Sequence, residues 1–177
     1  LSFLAGADAA GIVLGAKVPI ILTSRADSVM TRLASCAVAA LVASVRREKA
    51  GADIATAMRL RKGATVFHVR LVHLENGVPI QLEDRHVNPA LAPDFMARDF
   101  TQVTPSHVLF EHAPLTEAEQ VVEAVLADAE QATWLDVAEG SPLLRVSRRT
   151  VSQGAVASVA RLYHPGTRYR LIGHFSV

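Results

Sequence analysis

The residues best suited to chemistry lie along the run GVPIQLEDRHVNPAL, Gly77 to Leu91. In the stretch Pro79 to Val87 an extended chain places Ile80, Leu82 and Asp84 on one face and Gln81, Glu83 and Arg85 on the other. A carboxylate and a guanidinium two residues apart on one face suit the polar wall of a ligand pocket; they equally suit an ion pair on a solvated sheet face. Further along, Ser158, Arg161, Tyr163 and His164 share one short segment, in which alternation separates Arg161 from Ser158 and His164. Thr104 and Ser106 stand at the start of a short helical pattern. There a hydroxyl and free helix N–H groups meet an anion, or the hydroxyl simply caps the helix. The seven histidines (His68, His73, His86, His107, His112, His164 and His174) show no HxxxH spacing and no neighbouring cysteine, so no metal site and no cofactor is expected. No GxSxG elbow, Walker loop or dinucleotide fingerprint occurs.

These residues need a sheet to hold them. Thr65 to Leu74 and Val78 to Val87 are rich in β-formers, and Asn76-Gly77 between them is a hairpin signal. A two-residue loop pairs Glu75 with Val78 and puts Glu83 opposite Arg70, on the face of His68. A three-residue loop shifts the register by one, and Glu83 then shares a face with His73, Leu71 and Val69. Ala52 to Leu60, Phe95 to Phe100, Ser106 to His112 and Asp128 to Val137 read as helices, and Asn88 to Pro93 as a loop. Thr116 to Leu126 fits a helix or an edge strand. Leu143 to Ser152, Ala155 to His164 and Arg168 to Val177 read as a three-strand meander. The pattern is α+β, with a mostly antiparallel sheet and flanking helices.

Residues 1–43 differ: rich in Ala, Gly, Val and Leu, they read as a short helix–strand–helix α/β segment. Gly6, Gly11 and Gly15 punctuate a helical pattern, Lys17 to Leu22 is a buried strand, and a long helix runs from Ser28 to Arg47, capped by Ser24 or Asp27. The expected division is therefore 1–43 and 44–177. At 177 residues the chain has room for one domain and part of a second. A net charge of +1 gives no concentrated basic surface for nucleic acid. Cys36, the single cysteine, excludes an intrachain disulfide and reads as a buried inert thiol. The apolar run Leu33 to Val45 is too short for a bilayer, which takes about 20 residues, so the cytoplasm is the expected location. The first residue is Leu rather than Met, which fits a fragment.

HLENGVPIQLEDRHVNPAL (His73 to Leu91), TPSHVLFEHAPLTEAEQVVEAVLA and VARLYHPGTRYRLIGHF, in this order, resemble the UTRA effector-binding domain of GntR-family regulators, specifically the histidine-utilisation repressor branch. The resemblance implies a chorismate-lyase-like fold, a homodimer, and urocanate as effector. Urocanate carries an imidazole and a carboxylate, which call for Glu or His at one end and Arg or N–H donors at the other. Glu83 matches a glutamate of the family's ligand site, and the family's paired basic positions fall on Leu71 and His73, which selects the register with Glu83 facing His73. Leu71 departs from the arginine of many relatives and argues against a sugar-phosphate ligand. The family's turn, matched to His164-Pro165-Gly166-Thr167-Arg168-Tyr169, puts Ser158 and His164 at ligand-contact positions. Arg161 is the carboxylate partner chosen on chemical grounds, with Arg85 as the alternative, and Thr104 and Ser106 complete the expected set. DNA is expected only through a winged helix-turn-helix, for which residues 1–43 show no recognition-helix pattern.

Leu4 to Ala43 resembles instead the C-terminal end of a phosphate acetyl- or butyryltransferase, whose active-site Ser-Arg pair matches Ser24-Arg25. Thr31 replaces an acid found there in several relatives, and most of that enzyme's sheet is absent, so no enzyme activity is expected. An acyltransferase fragment is the alternative reading. A lyase activity, by analogy of fold alone, is the third.

Overall fold

Alternating apolar and polar residues build the sheet, and two local irregularities decide which side chains share a face. The structure, a computed structural model, describes residues 13–14 and 39–172. Its main sheet has six strands, all antiparallel. In chain order they are β2 (Ala39–Lys49), β3 (Thr65–Glu75), β4 (Val78–Val87), β5 (Glu117–Leu126), β6 (Pro142–Ser152) and β7 (Ala155–Pro165). The spatial order is β2-β3-β4-β7-β6-β5. Two short strands, β1 (Val13–Leu14) and β8 (Leu171–Ile172), pair separately. Helices α1 (Ala52–Ala57), α2 (Pro105–His112) and α3 (Ala129–Leu135) and a 3₁₀ turn at Phe95–Ala97 flank the sheet. The α+β expectation is met, and this is the chorismate-lyase-like architecture.

Three expectations need correction. The helix expected from Ser28 to Arg47 does not reach Arg47, because Ala39–Lys49 is strand β2. The reason lies in its pairing. Ala40 and Val42 pair with His73 and Leu71; the register then skips Ala43, and Val45 pairs with Val69. This bulge turns a core face at spacing two into 40, 42, 45, which mimics a helical period. The meander is also incomplete. β7 lies between β4 and β6, while β8 leaves the main sheet to pair with β1. Val13–Leu14 is accordingly extended where a helical pattern was expected. The strand Lys17 to Leu22, Ser24-Arg25, Thr31 and Cys36 lie outside the described residues.

Each face of the sheet has its own cover. Phe67, Val69 and Leu71 of β3 pack under Phe95, Phe100, Val108 and Leu109, so the 3₁₀ turn and α2 cover the inner face. On the outer face Val66 packs with Ala55 and Met58 near α1, and Val72 and Leu82 pack with Leu135 of α3. Burying each such side chain contributes roughly 1.5–3 kcal/mol. Helix α3 starts with a reciprocal cap: Asp128 accepts from the Gln131 N–H at 2.7 Å, and Gln131 accepts from the Asp128 N–H at 3.2 Å. Its far end is tied by Arg168, which donates to the carbonyls of Leu135 (2.6 Å), Asp136 (2.8 Å) and Pro79 (2.8 Å). Those bonds fix the turn after β7 against the start of β4.

Candidate functional site

The inner face gathers most of the polar residues expected to contact a ligand. The hairpin turn is the two-residue one: Glu75 pairs with Val78, and Asn76 and Gly77 both have positive φ, 51° and 79°. That turn alone would place Glu83 opposite Arg70. A bulge at Ile80 intervenes, for Leu74 pairs with Pro79 but His73 pairs with Gln81. Glu83 therefore lies opposite Leu71 and faces His73 as expected, through a bulge rather than a three-residue loop.

Glu83 is 2% exposed; it accepts from Arg85 Nε through Oε1 and lies 2.8 Å from His73 Nε2 through Oε2. Arg85, 1% exposed, also donates to Ser158 Oγ (2.9 Å) and Ser106 Oγ (3.0 Å). Thr150 Oγ1 lies 2.9 Å from Ser158 Oγ. Burial alone would raise the Glu83 pKa. The Arg85 and His73 interactions more than offset this and hold the carboxyl at about 2. His164 is also buried; its ring stacks on Tyr169 at 3.8 Å between centroids, and its Nε2 has no hydrogen-bond partner among the described residues. Burial, aided by His73, pushes its pKa down to about 3, so the ring is neutral.

Sequence reasoning missed two neighbours. Arg148 of β6 pairs with Ala160, which also faces Arg85 across β7, so both arginines point to the inner face. Arg148 donates to Gln120 Oε1 at 3.1 and 2.8 Å and makes no ion pair among the described residues. Burial and the nearby Arg85 lower its pKa to about 10. Tyr169 is raised to about 12 by burial. Strand alternation from Thr150 or Ser158 signals Arg148 once the β6–β7 register is known; no sequence pattern signals Tyr169.

The remaining expected residues divide. His73, Glu83, Arg85, Ser106, Ser158 and His164 come together on the inner face. Thr104 accepts from the His107 N–H at 3.2 Å, so its hydroxyl caps α2. Arg161 pairs with Asp84 and Ser147 and belongs to the outer face, as alternation without a bulge in this stretch requires. There it lines a groove of about 330 Å³ with Asp53, Asp84, His86 and Arg149. The inner and outer faces are thus two separate polar regions of one sheet.

Comparison with known proteins fits this geometry. The UTRA domain model matches residues 36–170. The chain belongs to the UTRA domain family. Over 135 residues it is 50% identical to the histidine utilization repressor of Pseudomonas putida, covering 76% of this chain and 54% of that protein. It therefore spans about half the length of such relatives. The crystal structure of the C-terminal domain of the histidine utilization repressor from Pseudomonas syringae pv. tomato superposes with a TM-score of 0.76 at 45% identity, covering 79% of this chain and 99% of that one. A second similarity, 79% identity over 47 residues, is to phosphate acetyltransferase of Rhizobium meliloti, covering 27% of this chain but 15% of that enzyme. Among the described residues of the UTRA domain, no helix is long and apolar enough to cross a membrane.

Proposed function

We propose that this UTRA domain is the sensing part of a histidine-utilisation repressor, and that it binds urocanate or a related small imidazole acid on the inner face. The observation that carries this reading is the buried Glu83, bracketed by His73 and Arg85 and set near Arg148, a cation without a carboxylate partner among the described residues. A carboxylate ligand supplies that partner. Its imidazole finds acceptors and ring faces at Glu83, His73 and His164. Preorganised buried polar groups reject ligands that leave them unpaired, which gives selectivity beyond simple charge attraction. Arg85 already has a carboxylate partner in Glu83 and also donates to Ser158 and Ser106, whereas Arg148 has no carboxylate partner among the described residues, so Arg148 replaces Arg161 as the carboxylate partner. The domain acts as a homodimer in the cytoplasm, and ligand binding shifts DNA-binding domains attached to it in the intact repressor.

Thermal-shift titration with urocanate, histidine and coenzyme A tests the proposal. Urocanate at 100 times its dissociation constant should stabilise the chain by about 2.7 kcal/mol. Stabilisation by coenzyme A and not by urocanate would overturn it in favour of the acyltransferase reading.

A further inference from the structure

The outer face holds a cluster that the sensing site does not use. His68 of β3 pairs with His86 of β4, and Glu48 of β2, two residues beyond the Arg46 that pairs with His68 and on the same face, reaches both rings diagonally. Glu48 Oε2 lies 3.2 Å from His68 Nδ1, and Glu48 Oε1 lies 3.1 Å from His86 Nε2. One donor atom from each residue falls within 4.8 Å of the others. The two imidazoles are buried and stack at 4.1 Å, 11° from parallel. Asp84 Oδ1 sits 2.9 Å from the far nitrogen of His68, Nε2.

We propose that Glu48, His68 and His86 form a site for a divalent transition metal of the zinc type. Four-coordinate zinc takes imidazole nitrogen and carboxylate oxygen at about 2.0–2.2 Å, which separates neighbouring donors by roughly 3.3 Å. Each ring nitrogen lies at about that spacing from one oxygen of Glu48, His68 Nδ1 from Oε2 and His86 Nε2 from Oε1, and a small closure of the 4.8 Å cluster brings three donors around one ion. Asp84 supplies the carboxylate that commonly orients a metal-bound imidazole from behind, leaving His68 Nδ1 free to ligate. Two histidines and one carboxylate leave a position open, and His86 and Asp84 line the outer groove through which water or a small ligand reaches it. One dication at the edge of the two rings that faces Glu48 replaces the protons that His68 Nδ1 and His86 Nε2 otherwise share with its carboxylate. Arg46 Nε, 2.8 Å from Glu48 Oε2, competes for the same carboxylate. A bound metal would clamp β2 to β3 and β4.

The test uses the whole chain, stripped with chelator and titrated with Zn²⁺ by calorimetry and with Co²⁺ by visible absorption. One equivalent should bind and raise the melting temperature. Glu48→Gln, His68→Gln and His86→Gln should each weaken binding by about 100-fold or more, and Asp84→Asn by about 10–100-fold. Arg46→Ala removes no ligand and should tighten binding several-fold, so it serves even where a ligand variant fails to fold. His107→Gln, on the exposed surface of α2, and Cys36→Ser should bind as the original chain does. No stoichiometric binding, or binding that is lost with Cys36→Ser or that is indifferent to Arg46→Ala and Asp84→Asn, would overturn the proposal.

Discussion

Glu83 carries opposing demands, since it is buried, charged and bound to a buried arginine. Removing one partner of such a pair leaves the other uncompensated, at a cost of about 3–5 kcal/mol. Glu83→Gln keeps the shape and one acceptor. It should lower stability on that order in chemical denaturation and abolish urocanate binding even where the protein remains folded. The acid response follows from the same residue. Its folded pKa, about 2, lies below its ordinary 4.5, so its contribution is complete above pH 4.5 and is lost as pH falls toward 2. His164 acts in an earlier window. Its folded pKa of about 3 lies below its ordinary 6.5, so protonation favours the unfolded chain and stability falls as pH drops below 6.5. His164→Phe should flatten the stability profile between pH 6.5 and 4.5 by up to about 1.4 kcal/mol per pH unit, the slope of one proton. An unchanged slope would show that His164 is not a buried neutral ring. At this scale the sequence was informative where a residue's neighbours lie on its own strand or hairpin, as with Glu83, Arg85 and His73. Arg148 was hidden because its place beside Arg85 depends on β7 inserting between β4 and β6, a pairing of residues far apart in the chain.

At the scale of elements, the two bulges explain both a success and a failure. Strands β3 and β4 were legible from their alternation and the Asn76-Gly77 turn, yet the facing of Glu83 and His73 rests on the extra residue at Ile80. Strand β2 was illegible because the bulge at Ala43 disguised its period, and only pairing with β3 makes it a strand. The turn itself is open to test. Gly77 has φ of +79°, where a Cβ meets no neighbouring atom but the backbone is strained for any L side chain. Gly77→Ala should cost about 1 kcal/mol of stability in urea denaturation while leaving ligand affinity unchanged. A loss of affinity would mean that the hairpin register, and with it the Glu83–His73 contact, had shifted.

At the scale of the molecule, one sheet presents two polar faces, and its first strand begins at Ala39, inside the segment expected to belong to residues 1–43. β2 supplies cover for Val69 and Leu71 beneath the site, and the family match begins at residue 36. A chain cut to 36–177 should therefore keep urocanate binding. A cut at 44 removes half of β2 and should lower the melting temperature by several degrees, since about 1 kcal/mol shifts it by roughly 2–8 °C in domains of this size range. The inner face, not the outer groove, is the proposed seat of the effector. Calorimetric titration of urocanate into the original chain and into Glu83→Gln, Arg148→Gln and Arg161→Gln tests it most directly. Binding at one site per chain that is lost with Glu83→Gln, weakened at least tenfold with Arg148→Gln and kept with Arg161→Gln is the predicted result. Binding that survives the two inner-face changes and is lost with Arg161→Gln, or no binding to the original chain, would contradict it.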